Sequence, residues 1–505
     1  MLEKYVKKIL ASRVYDVAIE TPLQPARGLS QRLGNRVLLK REDLQPVFSF
    51  KIRGSYNKMV QLSQDDRARG VVAASAGNHA QGVAFAAREL GIRAHIVMGR
   101  NTPSIKVDAV RNLGARVIMH GDTYDEAATH ATMLTEKHGY VFVHAFDDID
   151  VIAGQGTVGM EIINQHPGDP DVIFVPVGGG GLIAGISAYV KYLKPQTSVI
   201  GVEAEGSACL AAAMAANRRV KLPYDSLDLF ADGVSVAQIG KETFKIARRY
   251  VDQVITVSTD EICAAIKDLY DDTRSVAEPS GALAVAGMKT YVEQSGITGE
   301  SLVAIVSGAN VNFDRLRHIA ERAEVGEQRE VVLGVTIPEE KGSFRNFCRV
   351  LGKHPVTEFN YRYADGSEAH VYVGLQVTAA DDRAQVLVDL DNAGYRVQDM
   401  TDNEVAKLHV RHMVGGRSVG NKGELLYRFE FPERPGALLK FLSGVGTKWN
   451  ITMFHYRNHG AAWGRVLVGF EAEINEKKKL GEYLQRVGYR YWEETDNPAY
   501  RLFLR

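Results

Sequence analysis

The chain has 505 residues, 45% hydrophobic and 24% charged, which is ordinary globular composition and excludes a disordered, collagenous or disulfide-scaffold protein. Lys plus Arg is 61 and Asp plus Glu is 61, a zero balance that gives no support for binding to nucleic acid or to a membrane surface. Length suggests about three domains, and the three scattered cysteines, Cys209, Cys263 and Cys348, read as reduced thiols of a cytoplasmic protein.

The N-terminal segment MLEKYVKKILASRVYD carries charges at Glu3, Lys4, Lys7 and Lys8, so it predicts an amphipathic helix and not a signal peptide. Short β-branched runs then alternate with helical patterns. Residues 37–40 precede a helix over 52–62, 70–74 one over 79–90, 92–97 one over 104–113, and 116–119 one over 124–138. Further units are 172–177 with 182–192, 254–257 with 260–271, and 302–306 with 313–322. Regular alternation of this kind predicts α/β architecture, with parallel sheets flanked by helices. The strands are continuous apolar runs, as burial on both faces requires. Residues 172–190 form a 19-residue stretch without charge, yet they hold Pro176 and four consecutive glycines. A strand, a glycine loop and a helix start explain them better than a membrane span.

The pattern changes after about residue 330. VTIPEEKGSFRNFCRVLG (335–352) returns as FEFPERPGALLKFLSGVG (429–446), a shift of 94 residues. EFNYR (358–362) returns as MFHYR at a shift of 95, and AGYR and TDN return at 94. Matches at one near-constant shift are the mark of duplication. Each copy reads strand, turn, helix, strand, strand, helix, strand, a ferredoxin-like α+β domain. Such a pair behind an enzyme reads equally as a packing domain or a sensor. Gly342 and Gly436 stand where a small effector could approach the backbone.

Four loops at strand ends carry candidate chemistry, because ligands in such folds sit where strands end and helices begin. The first holds Lys51, boxed by Phe48, Phe50 and Ile52, where desolvation would lower the amine pKa and make it nucleophilic. Alone, Lys51 reads as a surface lysine at a helix start. The second is Ser75-Ala76-Gly77-Asn78-His79, whose backbone N–H groups suit a carboxylate. It also reads as an ordinary helix start capped by Ser75 or Asn78. The third, Gly178-Gly179-Gly180-Gly181 before Leu182, lets the backbone approach a phosphate and aim several N–H groups at it. There is no GxxxxGK[ST], and no acid at dinucleotide spacing, which argues against a nucleoside triphosphate and against NAD. The fourth is Ser307-Gly308-Ala309-Asn310. A reactive lysine, a phosphate cup and a carboxylate cradle together point to pyridoxal 5'-phosphate acting on an amino acid.

KREDLQPVFSFKIRG, ASAGNHAQGVA, PVGGGGLIAG and VSGANVNFDRLR resemble the threonine dehydratase family of fold-type-II pyridoxal-phosphate enzymes over about residues 5–325. The repeats resemble the paired ACT-like regulatory domains of its biosynthetic branch. The resemblance implies a catalytic domain over 1–325 and regulatory domains over 330–403 and 424–497. It implies that Lys51 holds the cofactor as a Schiff base and takes the substrate's Cα proton. Asn78 would bind the cofactor's phenolic oxygen, Gly178, Gly179, Gly180, Gly181 and Leu182 its phosphate, and Ser307 would face its ring nitrogen. Ser75, Gly77 and His79 are expected at the substrate carboxylate, and no metal ligand is assigned. The implied reaction turns L-threonine, and also L-serine, over in a homotetramer. With threonine it releases 2-oxobutyrate and ammonia, with isoleucine and valine as effectors. Ser55 and Phe48 depart from the family's usual residues, but neither carries a catalytic group. The rival readings are a catabolic dehydratase, a threonine synthase, and a sensor with a dead catalytic domain.

Overall fold

The computed structural model describes residues 2–504 except 225–226, 327–329, 339–342, 352–353, 355, 363–367, 378–379, 411–422, 433–440, 442–448 and 458–462. Gly342 and Gly436 lie outside the described residues, as does the Cys348 side chain. The chain forms two compact units, Met1–Ala323 and Glu324–Arg505.

The strands of the first unit are β1 (Leu23–Pro25), β2 (Arg36–Arg41), β3 (Val71–Ala74), β4 (Ala94–Met98), β5 (Arg116–Met119), β6 (Val141–Phe142), β7 (Val172–Pro176), β8 (Ser198–Ala204), β9 (Gln253–Val257) and β10 (Ser301–Val306). They build a six-stranded sheet in the order β1-β2-β10-β7-β8-β9 and a four-stranded sheet in the order β5-β4-β3-β6. Only β1 pairs antiparallel; the other pairs are parallel. Helices cover the sheets, and the strands are buried on both faces, as their continuous apolar runs require. The central strands β2, β10 and β7 are neighbours, so the loops leaving their carboxyl ends gather at one place. The N-terminal segment is helical over Leu2–Leu10 and buries Tyr5, Val6 and Ile9.

Two long helices, Ile149–Gln165 and Pro279–Ser295, and strand β8 are absent from the sequence-based expectation. The first helix contains Gly154, Gly156 and Gly159, which lower its helical signal. The structure explains two of them. A Cβ on Gly154 would stand 2.6 Å from Arg53 O, and one on Gly156 would stand 2.5 Å from Ile9 Cδ1 and 3.1 Å from Gly185 O of the helix Gly181–Leu193. Small residues there let three helices touch. Strand β8 was obscured by Gly201 and by Glu203, whose carboxylate accepts the Leu210 and Ala211 N–H groups at 2.8 Å and caps the next helix.

The second unit holds two four-stranded antiparallel sheets. The first contains β11 (Glu330–Pro338), β12 (Val356–Arg362), β13 (Glu368–Gln376) and β14 (Arg396–Asp399), in the order β12-β13-β11-β14. The second contains β15 (Glu424–Pro432), β16 (Asn450–Arg457), β17 (Trp463–Glu471) and β18 (Arg490–Glu493), in the order β16-β17-β15-β18. The ferredoxin-like expectation matches both orders. The duplication is visible in the register: Leu333 faces Asp399 and Tyr427 faces Glu493, each shifted by 94. Both edge strands bulge at corresponding places, Val356/Glu358 and Ile451/Met453. The copies share a core, in which Val332, Tyr372, Met400 and Val405 of the first pack with Leu426, Leu467, Ala499 and Tyr500 of the second. Asn403 Nδ2 donates to Asn497 Oδ1 across the pair at 3.3 Å. No helix among the described residues is long and apolar enough to cross a membrane.

Candidate active site

Lys51 opens the helix Lys51–Val60. Its Nζ lies 3.5 Å from Ala145 O and 5.0 Å from the Phe50 ring centre. Burial pushes the amine down to about 8, against an opposing pull from Glu278. Of the three residues expected to box it, Phe50 does so. Ile52 belongs to a separate core with Val14, Ala18 and Val47, while Phe48 turns outward and is 57% exposed. Phe48 also adopts φ 55, the left-handed region that side chains disfavour. That turn aims the Phe48 carbonyl at Ala309 N, 2.9 Å away, while Phe50 N donates to Ser307 O at 3.2 Å. The first and fourth loops are thus stitched together.

The second loop leaves β3. The helix Asn78–Leu90 starts at Gly77 with no side-chain cap, so neither Ser75 nor Asn78 caps it. Ser75 Oγ instead accepts Gly77 N at 3.2 Å. Without a cap, the first N–H groups of this helix remain open to an anion. Asn78 donates to Glu278 Oε1 at 2.5 Å and accepts from Asn310 Nδ2 at 2.7 Å. His79 is buried, its Nε2 is 2.9 Å from Val143 O, and its Nδ1 is 3.4 Å from Ser55 Oγ. Burial, then the nearby Lys51, pushes this imidazole down to about 3, so it is neutral. Its ring is committed to the scaffold, which leaves only its backbone N–H for a ligand. Ser55, one of the two departures from the family pattern, therefore braces a candidate site residue.

The third loop leaves β7, and Gly180 caps the helix Gly181–Leu193 at φ 89. The loop is walled in: a Cβ on Gly178 would meet the Val234 backbone at 2.9 Å, and one on Gly179 would overlap the Phe146 ring. Thr243 Oγ1 donates to Gly179 O at 2.8 Å and Gly240 N to the same oxygen at 3.2 Å. The N–H groups of Gly178 to Leu182 meet no acceptor among the described residues. Mostly buried donors left open in this way call for an anion. Phe146 joins this loop to the first, since Lys51 Nζ sits at the carbonyl of the residue before it.

Ser307 follows β10, is buried, and donates from Oγ to Ser280 O at 3.1 Å. Gly233 packs against Ser280 and lies near Asn78, so the segment 231–234 closes the remaining side. The four loops predicted from sequence therefore meet at one place. Glu278 was missed. It is buried, it binds Asn78, and burial followed by Asp232 pushes its carboxyl up to about 7. An acid directly before Pro279 at a helix start was the available signal.

Residues 14–308 match the family of pyridoxal-phosphate dependent enzymes, and 321–410 and 415–504 each match the C-terminal regulatory domain of threonine dehydratase. The chain is 55% identical to the L-threonine dehydratase biosynthetic IlvA of Burkholderia multivorans, over 99% of both chains. It is 53% identical to that of Escherichia coli, over 99% of this chain and 97% of that one. The processed form of threonine deaminase isoform 2 from Solanum lycopersicum superposes with a TM-score of 0.62 at 51% identity, covering 64% of this chain and 93% of that one.

The chain belongs to the biosynthetic threonine dehydratase family. The cofactor of this dehydratase is pyridoxal 5'-phosphate. The residues present fit it: open N–H groups in a glycine cradle suit the phosphate, and a buried, partly neutral lysine amine suits the aldehyde. The dehydratase's thiols Cys209 and Cys263 are buried and free, and burial raises both, so neither competes as a nucleophile.

Proposed function

We propose that this chain dehydrates and deaminates L-threonine, and also L-serine. With threonine it gives 2-oxobutyrate and ammonia, the committed step toward isoleucine. It works as a cytoplasmic homotetramer. Residues 1–325 do the chemistry, while 330–403 and 424–497 are the regulatory copies that isoleucine and valine address. The position of Lys51 carries this reading: a lysine amine held near 8, next to a glycine loop with open N–H groups.

When bound, pyridoxal phosphate supplies an electron sink that makes the Cα proton of its amino-acid partner acidic. Gly178, Gly179, Gly180, Gly181 and Leu182 hold its phosphate through backbone N–H groups. Asn78 holds its phenolic oxygen, and Ser307 faces its ring nitrogen. A serine hydroxyl is too weak an acid to keep that nitrogen protonated, which favours elimination over racemisation. Lys51 would hold the cofactor's aldehyde carbon. An amine near 8 then both accepts and returns a proton at working pH, as the Cα base must. Ser75, Gly77 and His79 orient the substrate carboxylate, Ser75 through its hydroxyl, since its own N–H is given to Val97 O, and His79 through its backbone N–H.

The test is 2-oxobutyrate formation from L-threonine by the parent and by Lys51→Ala, with and without isoleucine. The parent should turn over and slow with isoleucine, and the variant should fold and be inactive. Near-parental turnover by Lys51→Ala would remove the assignment. A parent indifferent to isoleucine would remove the regulatory reading.

A further inference from the structure

The carboxamide of Asn78 is clamped at both ends. Asn310 Nδ2 donates to its oxygen at 2.7 Å, and its nitrogen donates to Glu278 Oε1 at 2.5 Å. Both partners are themselves anchored. Asn310 Nδ2 also donates to Val47 O at 2.9 Å, and Glu278 N donates to Gly308 O at 3.1 Å. A Cβ on Gly308 would collide with Glu278 Oε1, so glycine there keeps room for the carboxylate. Asp232 faces Glu278 with like charge, while Lys106, Arg315 and Lys51 lie close enough to act on it or feel it. Asp232 is itself paired with Lys106, and it lies 3.7 Å from Arg315 Nη1.

A carboxamide offers two N–H donors and an oxygen acceptor. In this clamp one N–H goes to Glu278 and the oxygen goes to Asn310, which leaves one N–H uncommitted. Turning the group over would set its nitrogen against the Asn310 donor, which loses that bond, and its oxygen against Glu278, which loses the second bond whenever that carboxyl is ionised.

We propose that Glu278 and Asn310 are positioning residues that fix Asn78 so that its free N–H, and not its oxygen, meets the phenolic oxygen of the cofactor. The inference rests on the proposed placement of Asn78 beside that oxygen. Neither residue touches the reacting atoms; both act through Asn78.

The experiment uses the full-length holoenzyme without substrate. It records the visible absorption band of the bound cofactor across pH, and cofactor affinity by titration. Glu278→Ala should change the pH dependence of the band and weaken cofactor binding about tenfold, the cost of one misdirected hydrogen bond. Glu278→Gln keeps an acceptor and should behave as the parent. Asn310→Asp turns the donor facing Asn78 Oδ1 into an acceptor and should reproduce the Glu278→Ala effect, even if Glu278→Ala itself does not fold. Asn78→Ala is the reference. If Asn78→Ala moves the band while Glu278→Ala and Asn310→Asp leave it parental, the clamp is refuted alone. If Asn78→Ala also leaves it parental, the placement of Asn78 fails and takes the clamp with it. A Gln variant that behaves like Ala would show that charge and not placement matters, and would likewise overturn the proposal.

Discussion

Arg53 Nη1 donates to Glu161 Oε1 at 2.6 Å with both side chains almost wholly out of water, two residues beyond Lys51. The same guanidinium grips Glu42 through Nε and Nη2, each at 2.7 Å. Lys40 Nζ completes the cluster 2.5 Å from Glu161 Oε2. Two cations and two carboxylates thus balance beneath the start of the Lys51 helix, joined to the N-terminal segment through Tyr15 and Thr21. The favourable neighbours keep Glu42 ionised despite burial.

Arg53→Met should be strongly destabilising, by about 3–5 kcal/mol, because it strands two buried carboxylates beside one lysine. Denaturant unfolding of the holoenzyme reads this. Adding Glu161→Gln to Arg53→Met should recover part of the loss, since it removes one of the stranded charges. A single variant as stable as the parent would mean that water reaches the cluster.

Gly180→Asp should weaken cofactor binding sharply. The cause lies in the backbone and the packing around this residue. At φ 89 a Cβ would point at Ile239 Cδ1, 2.5 Å away, and at Thr243 Oγ1, 3.0 Å away. Backbone strain and displaced packing would therefore deform the loop, and the added charge would oppose an anion by roughly 0.3–2 kcal/mol more. Gly180→Ala, with strain but no charge, should lose affinity less. Equal affinity for all three proteins in a cofactor titration would remove the phosphate-cup assignment.

His79 makes a pH prediction. Its folded value near 3 lies below its ordinary 6.5, so between these limits the unfolded chain binds more protons than the folded one. The stabilisation is whole above pH 6.5 and drains away as pH falls toward 3, with a limiting slope of about 1.4 kcal/mol per pH unit. Glu278, raised from 4.5 to about 7, acts in the opposite sense between those values, so a comparison with a variant is needed to isolate His79. His79→Gln can still donate to Val143 O and should flatten the acid limb of unfolding midpoint against pH. An unchanged slope would mean that His79 is not buried neutral.

A chain ended after Gly326 keeps the whole helix Arg315–Gly326 and every loop of the candidate site. It should remain an active dehydratase and lose its response to isoleucine. A coupling of about 1–3 kcal/mol accounts for useful feedback, and removing the sensor abolishes it. Valine, one methylene smaller, should compete with isoleucine or oppose it in the full chain. Threonine saturation curves for both proteins decide the matter: a shortened enzyme still inhibited by isoleucine would place the effector site in the first unit.

Local signals were legible in advance. Apolar runs ending in glycine or polar loops located β3, β7 and β10, and four consecutive glycines marked a loop that approaches something closely. The 94-residue shift exposed the second unit before any pairing was known. What escaped notice depends on distant partners. Glu278 is 200 positions from Asn78, and Glu161 is 108 from Arg53. No local pattern distinguishes a carboxylate that will be buried from one that will be solvated. The outward turn of Phe48 escaped for a similar reason, because it is set by a hydrogen bond to Ala309 and not by its neighbours in sequence.

The shared core of the second unit has a historical consequence. A freshly duplicated domain begins with two self-sufficient halves, yet here Tyr372 and Met400 lie in the same buried cluster as Leu426 and Tyr500. Each half has given up an independent surface, so neither can be deleted, swapped or inherited alone without baring apolar side chains to water. Substitutions at this seam are then selected in pairs, while loops away from it are free to diverge.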